Sequence, residues 1–214
     1  MLDKGILSDL EKFLVDSIHK KLNKLKIPFE DLCDTPPEFS ESYISDPLNY
    51  RKYRAFLQLK CTYKEPVALI LLYILEKKLG LKVLEIYYHD LIGGTPALFN
   101  GVAGRDIDYV VVVDKKVDFD TVKRVEKYLD ELVSLAISDY YHKKGESSKI
   151  TPFNMLIKHN LIEVHMVEPS EKGKFNLNNR SLNMPIEKAD IEKLRKIIKE
   201  LEKEKIQKAM ASTV

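Results

Sequence analysis

Two aspartates one residue apart, Asp106 and Asp108, are the side chains of this sequence with the clearest capacity for chemistry. They precede a run of apolar residues, 109–113, whose β-branched composition predicts a buried strand. Because residues i and i+2 of a strand share a face, both carboxylates should project side by side, with Ile107 and Val111 opposite. Two such carboxylates repel each other unless a positive charge lies between them, and a divalent cation that prefers oxygen ligands would supply that charge.

A diglycine, Gly93–Gly94, ends the preceding β-branched and aromatic stretch, residues 81–92, and 11 residues separate it from Asp106. Glycines allow the backbone to approach a phosphate closely, and amides at the start of the short helix expected over residues 95–104 would donate to that phosphate. Taken alone, the glycine pair predicts only a turn between a strand and a helix.

Taken together, the two halves of this pattern, Ile92–Gly94 and Asp106–Tyr109, resemble the signature of the DNA polymerase β-like nucleotidyltransferase superfamily. The predicted order of elements, strand–helix–strand–helix–strand–strand, is also similar to that family's core. The resemblance implies an α/β (α+β) fold with a mixed β-sheet and packed helices over residues 81–170. Residues 1–80 would then form a helical N-terminal region, and residues 171–214 a loop and a C-terminal helix.

The resemblance also implies an activity, the transfer of an NMP from an NTP to a hydroxyl group. It implies Mg²⁺ as the cofactor, as one or two ions that Mn²⁺ can replace, and ATP as the favoured triphosphate. The acceptor stays open among RNA, protein and small molecules, because a fold does not choose among them. Two alternatives also stay open: a catalytically silent nucleotide-binding or regulatory protein on the same fold, and a scaffold that oligomerises through its terminal helices.

The resemblance assigns catalytic and metal-binding roles to Asp106 and Asp108 and implies a third carboxylate on a later strand. Residues 153–158 contain no acid, and Glu168 lies at the end of the next segment, where a surface position is the commoner one. Glu163 lies in the middle of that segment, and we therefore predict it as the third ligand. The alternative for the aspartates is that one caps a turn and the other is solvated.

The resemblance further implies that Gly93, Gly94 and Thr95 hold the triphosphate, with the Thr95 hydroxyl replacing the serine that is commoner beside the first glycine. His165 shares the predicted face of Glu163 and could assist the acceptor, although a strand histidine more often has a structural role. Arg105 could pair with the triphosphate, or form a structural salt bridge instead.

The rest of the chain divides into helical and extended patterns. Pro28, Pro36, Pro37 and Pro47 lie in an extended surface segment. Asp46 or Asn49 is the predicted cap of the helix that follows, and Asp118 or Asp120 the cap of a later one. Apolar spacing predicts helices over residues 6–25, 50–61, 65–79, from about 118 to 137, and 186–209, and two paired strands over residues 153–158 and 161–168.

Composition limits the classes of protein that this sequence could represent. A hydrophobic content of 44% and a charged content of 32% are typical of a soluble globular protein, and we expect a cytoplasmic one. The longest apolar run, residues 66–75, is too short to cross a bilayer, so no membrane partner is expected. The abundance of lysine and glutamate is typical of thermophile proteins. Cys33 and Cys61 lie too far apart to form a metal or redox motif.

Charge gives little indication of a partner. A net charge of +2 does not predict nucleic-acid binding. A small basic-aromatic patch, residues 50–54, could contact RNA or an acidic protein, although a solvated helix face explains the same pattern. Lys158, Lys172 and Lys174 could reach phosphates or be ordinary surface lysines. The C-terminal helix carries a narrow apolar seam that could pack on the core or form an oligomer interface.

Overall fold

The structure is a computed structural model of the 214-residue chain. It describes residues 4–33, 41–89, 106–146, 150–175 and 187–211. The predicted phosphate-binding residues Gly93, Gly94 and Thr95 lie outside these ranges, as do Arg105 and the short helix expected over residues 95–104.

Helices make up most of the described chain. The long ones are α1 (Lys4–Leu25), α3 (Pro47–Tyr73), α4 (Phe119–Lys143) and α6 (Ile191–Ala211). Two short helices, α2 (Glu41–Ile44) and α5 (Phe153–Ile157), and two 3₁₀ segments, Phe29–Asp31 and Pro169–Phe175, complete the helical part. A π-helical turn, Ile74–Lys78, continues α3. No described helix is long and apolar enough to cross a membrane.

The strands form one mixed sheet in the order β3-β2-β1-β4. Their bounds are β1 (Val83–His89), β2 (Ile107–Val113), β3 (Ile162–Val167) and β4 (Glu187–Lys188). β1 is antiparallel to both β2 and β4, whereas β2 and β3 are parallel. The predicted α+β class, with a mixed sheet and packed helices, is therefore confirmed.

The main hydrophobic core lies between the helices and one face of the sheet. Ile107, Tyr109, Val111 and Val113 of β2 point into it, as the strand pattern predicted. The other face carries a small separate cluster, formed by Tyr87, Val110, Val112 and Val167. Asp108 belongs to this second face by strand alternation, so the sheet places its carboxylate on the side opposite the main core.

The prediction of two separate helices over residues 50–61 and 65–79 is wrong, because α3 runs unbroken through Pro66. A proline inside a helix removes the hydrogen bond to the carbonyl four residues earlier, here that of Thr62. Lys21 of α1 extends its Nζ to this carbonyl at 3.4 Å and to that of Cys61 at 3.0 Å. A donor from another helix thus replaces the missing amide. Of the two predicted caps, Asp46 and Asn49, the structure shows Asp46 as the N-cap, and its side chain accepts from Leu48 N and Asn49 N.

The predicted strand over residues 153–158 is also wrong, since this segment forms the short helix α5. Phe153 and Ile157, four residues apart, are buried, whereas Met155 is 66% exposed. Burial at i and i+4 follows one face of a helix, while a strand would have buried Met155 as well. The following turn leads directly into β3, which pairs with β2 instead of forming a hairpin.

Both terminal helices belong to the main core. α1 buries Leu10, Leu14, Ile18 and Leu22, and the apolar seam of α6 buries Ile191, Leu194 and Ile198. Arg195 of α6 donates to Glu76 within the π-helical turn and to the Val83 carbonyl at 2.8 Å. The described part of the seam therefore packs on the chain's own core. The division into residues 1–80, 81–170 and 171–214 stays a prediction.

Candidate metal centre

The parallel pairing of β2 and β3 places two acids directly opposite each other. Asp108 of β2 is the Cα partner of Glu163 of β3, and Val110 is the partner of His165. Because Glu163 and His165 are two residues apart on one strand, their side chains project from the same face as Asp108. One register therefore brings three polar side chains to the face of the sheet opposite the main core.

The three side chains of this cluster, Asp108, Glu163 and His165, lie close enough to share an ion. Each offers one ligand atom, and these atoms lie within 4.8 Å of one another. His165 Nε2 is 3.7 Å from Asp108 Oδ1 and 3.7 Å from Glu163 Oε1. The cluster combines two carboxylates with one imidazole, a donor set that suits a divalent cation.

Burial differs sharply across the cluster. The side chain of Asp108 is 3% exposed, that of His165 24% and that of Glu163 37%. A buried carboxylate is costly to keep ionised unless a positive charge lies near it. The cluster thus has a buried floor at Asp108 and an open rim at Glu163, from which a substrate could approach.

The charges around the cluster shift the pKa of its histidine, His165. Burial of the ring is the largest single influence and lowers the pKa of His165, but the hydrogen bond and charge of Asp108, together with the charges of Glu163 and Glu126, outweigh it. The net direction is upward from the ordinary value of a histidine. The site therefore favours positive charge at its centre, whether that charge is carried by a proton or by a metal ion.

Two carboxylates of α4 hold β3 in place from its outer edge. Asp130 Oδ1 accepts from Leu161 N at 2.6 Å and from Ile162 N at 3.3 Å, and Glu126 Oε2 accepts from Val164 N at 3.0 Å. An edge strand otherwise leaves these outward amides unpaired. α4 thus satisfies the edge of the strand that carries Glu163 and His165, and it supports their register against Asp108.

A second charged group lies on the same face of the sheet, at Glu85 of β1. Lys172 of the 3₁₀ segment lies 2.5 Å from Glu85 Oε2, and Lys188 of β4 lies 2.6 Å from Oε1. Both ammonium groups also lie over the Tyr87 ring, at 5.3 Å and 5.7 Å from its centroid. Lys172, which the sequence left open as a phosphate contact, is thus engaged with a carboxylate and an aromatic ring.

The Glu85 group predicts a measurable dependence of stability on pH. Burial alone would raise the pKa of Glu85, but hydrogen bonds from Lys172, Lys188 and Tyr87 lower it from 4.5 to about 2. A lowered pKa means that ionised Glu85 stabilises the fold above about pH 4.5 and loses this contribution as the pH falls towards 2. We expect Glu85→Gln to lower the free energy of unfolding by about 1 kcal/mol at neutral pH, with the difference vanishing near pH 2.

Urea unfolding of wild type and Glu85→Gln across this pH range measures the effect. Glu200→Gln is the control, because Glu200 is exposed and its ion pair with Lys196 spans 4.0 Å. A difference between wild type and Glu85→Gln that stayed constant down to about pH 2 would contradict the assignment, since protonation must abolish an ionic contribution.

The structure places the other predicted site residues as follows. Asp106 lies immediately before β2 and is half-buried, but it is not part of the cluster. Glu168 follows β3 and lies outside the cluster as well. In the basic-aromatic patch, Arg51 pairs with Asp31 at 2.6 Å and Lys52 donates to the Cys33 carbonyl at 3.3 Å. Part of that patch is therefore engaged within the chain.

Two positioning residues were missed by sequence reasoning, Asp130 and Glu126. Both lie on α4, a helix that the sequence predicted. The pattern that could have identified them is a pair of acids four residues apart on the apolar side of that helix. In the structure Asp130 is 4% exposed and Glu126 6% exposed. His165 was recognised as sharing the Glu163 face, but its contact with Asp108 required the pairing of β3 with β2.

Comparison with known proteins adds no assignment to this geometry. A scan against protein-family models, a search of curated proteins and a search of solved structures each found no match. The functional conclusion therefore depends on the residues of this chain and on the resemblance of its motifs.

Proposed function

We propose that the protein is a metal-dependent nucleotidyltransferase that moves an NMP from an NTP to a hydroxyl group. The observation that carries the proposal is the register of the parallel pair, which puts Asp108 opposite Glu163 at a distance that one ion can bridge. The diglycine and Asp-x-Asp motifs supply the second support, because their spacing resembles the superfamily signature.

Asp108 and Glu163 would hold the metal, with Asp106 at the entrance of the same strand as a further ligand. A divalent cation bound there would neutralise the charge that develops on the transferred phosphate and favour ionisation of the acceptor hydroxyl. In the reaction the acceptor oxygen bonds to the α-phosphorus, the bond to the β-phosphate oxygen breaks, and pyrophosphate leaves. The more exposed carboxylate, Glu163, is suited to take the hydroxyl proton at the oxygen that does not bind the metal.

The direct experiment is incubation of the full chain with Mg²⁺ and each of four NTPs labelled at the α-phosphate. RNA, the protein itself and a small-molecule extract are offered as separate acceptors, and the label is followed by gel and by chromatography. We expect transfer from one triphosphate to one acceptor class. Label that binds without being incorporated would contradict transfer and support a silent nucleotide-binding protein. Absence of any nucleotide-dependent thermal shift would contradict both and favour a scaffold.

A further inference from the structure

The cluster of Asp108, Glu163 and His165 differs from an all-carboxylate site by its nitrogen donor. His165 Nε2 lies at equal distances, 3.7 Å, from one oxygen of each acid. Imidazole is a preferred ligand of zinc and its neighbours among the transition metals, whereas Mg²⁺ takes oxygen ligands and water. The donor types alone therefore favour an ion of intermediate softness.

The separations of the donors agree with this preference. An ion that is about 2.1 Å from each ligand keeps neighbouring donors about 3.0 Å apart in an octahedron and about 3.4 Å apart in a tetrahedron. The observed 3.7 Å between His165 Nε2 and each carboxylate oxygen is nearer the tetrahedral value, and the ligand atoms of the two acids lie within 4.8 Å of each other. For the two pairs that include His165, a tetrahedral ion needs a smaller inward shift than an octahedral Mg²⁺ ion does.

The exposed side of the cluster leaves room for one further ligand of the ion. Asp108 forms the buried floor, while the Glu163 side chain is 37% exposed. Catalytic zinc-type sites combine three protein ligands with one open position that water or substrate fills. Three donors with one open side fit that arrangement, and the ligand role proposed for Asp106 then belongs to a second ion.

We propose that His165 Nε2 is a metal ligand and that Asp108, Glu163 and His165 together bind a transition-metal ion of the Zn²⁺ or Co²⁺ class in preference to Mg²⁺. The inference rests on the proposed function for what the ion does in the protein. It extends that proposal by naming the ion that this site selects. Selection itself is a property of the three side chains and is measurable without nucleotide, acceptor or turnover.

The test is a titration of the metal-free full chain with Co²⁺ and, separately, with Mg²⁺, followed by calorimetry and by visible absorption for Co²⁺. We expect wild type to bind one Co²⁺ at least about 100-fold more tightly than Mg²⁺, with the strong visible bands of a tetrahedral site. His165→Gln should weaken Co²⁺ binding at least about tenfold and change Mg²⁺ binding by less than about threefold. Asp108→Asn should weaken the binding of both ions.

His159→Gln is the matched control, because His159 lies in the turn before β3 and is not part of the cluster. Its Co²⁺ affinity should equal that of wild type, and all variants are compared at equal folded fraction by circular dichroism. Unchanged Co²⁺ affinity in His165→Gln, or equal losses for Co²⁺ and Mg²⁺, would overturn the inference and leave His165 as a counter-charge to the acids.

Failure of this inference is distinguishable from failure of the proposed function. Label transfer with Mg²⁺ alone, together with Co²⁺ binding that does not depend on His165, would reject the ligand and retain the transferase. Selective Co²⁺ binding through His165 without transfer from any triphosphate would retain the metal site and reject the transferase.

Discussion

Asparagine in place of Asp108 is expected to lower NMP transfer at least about 1000-fold while leaving the melting temperature at or above that of wild type. Activity falls because the buried carboxylate that faces Glu163 would be lost as a metal ligand. Stability is retained because asparagine has nearly the same shape and removes the cost of a carboxylate that is only 3% exposed. Transfer of the α-label and a thermal melt of the same sample measure both quantities.

Glu163→Gln should lower transfer to a similar extent, since it removes the second carboxylate of the pair. Asp114→Asn is the control on β2. Asp114 follows the strand at its other end, and its Oδ1 accepts from Lys82 N at 2.9 Å, a bond that asparagine can keep. We expect its activity within about twofold of wild type. Full activity in both Asp108→Asn and Glu163→Gln would show that the metal assignment is wrong.

Alanine in place of Asp130 is expected to cost about 3 kcal/mol of the free energy of unfolding, or roughly 10 °C in melting temperature. Asp130 accepts from the backbone amides of Leu161 and Ile162 and from Asn154 Nδ2 at 2.7 Å, all in a largely buried setting. Alanine would leave these donors without their acceptor, and a buried unsatisfied donor is costly.

Asp130→Asn separates the hydrogen bonds from the charge. Burial raises the pKa of Asp130, so the site does not stabilise its charge relative to water, and a neutral acceptor at this position should retain much of the stability. Glu131→Ala, the exposed neighbour on the same helix, should change stability by less than about 0.5 kcal/mol.

Urea unfolding measures the totals for these variants, and hydrogen exchange localises the effect of Asp130→Ala to the Leu161 and Ile162 amides. Equal stability of Asp130→Ala and Glu131→Ala would contradict the role assigned to Asp130 at the edge of β3.

Patterns within single segments were sufficient for the elements that position the cluster. The apolar run of residues 109–113 predicted β2, and strand geometry predicted the face on which Asp108 lies, since both depend only on consecutive residues. The spacing of apolar residues likewise predicted α1, α4 and α6, whose amphipathic faces all lie in the main core. The roles of Asp106, Asp108 and Glu163 as metal ligands stay predictions.

Segments whose conformation depends on distant partners were predicted less well. α3 continues through Pro66 because Lys21 of another helix supplies a donor, and no pattern within residues 47–79 contains that donor. The apolar run of α5 is too short to show either period, and its burial at Phe153 and Ile157 comes from packing against the core.

The meeting of Asp108, Glu163 and His165 depended on the order and direction of the strands. Glu163 lies 55 residues beyond Asp108 in the chain, and a shift of one residue in the pairing would have turned its carboxylate to the other face. That register is supported by Asp130 and Glu126 on a helix between them in sequence. Residue types and periodicity thus indicated which side chains could bind a metal. Their distances followed from contacts between segments far apart in the chain, because local preferences hold no information about which strands become neighbours.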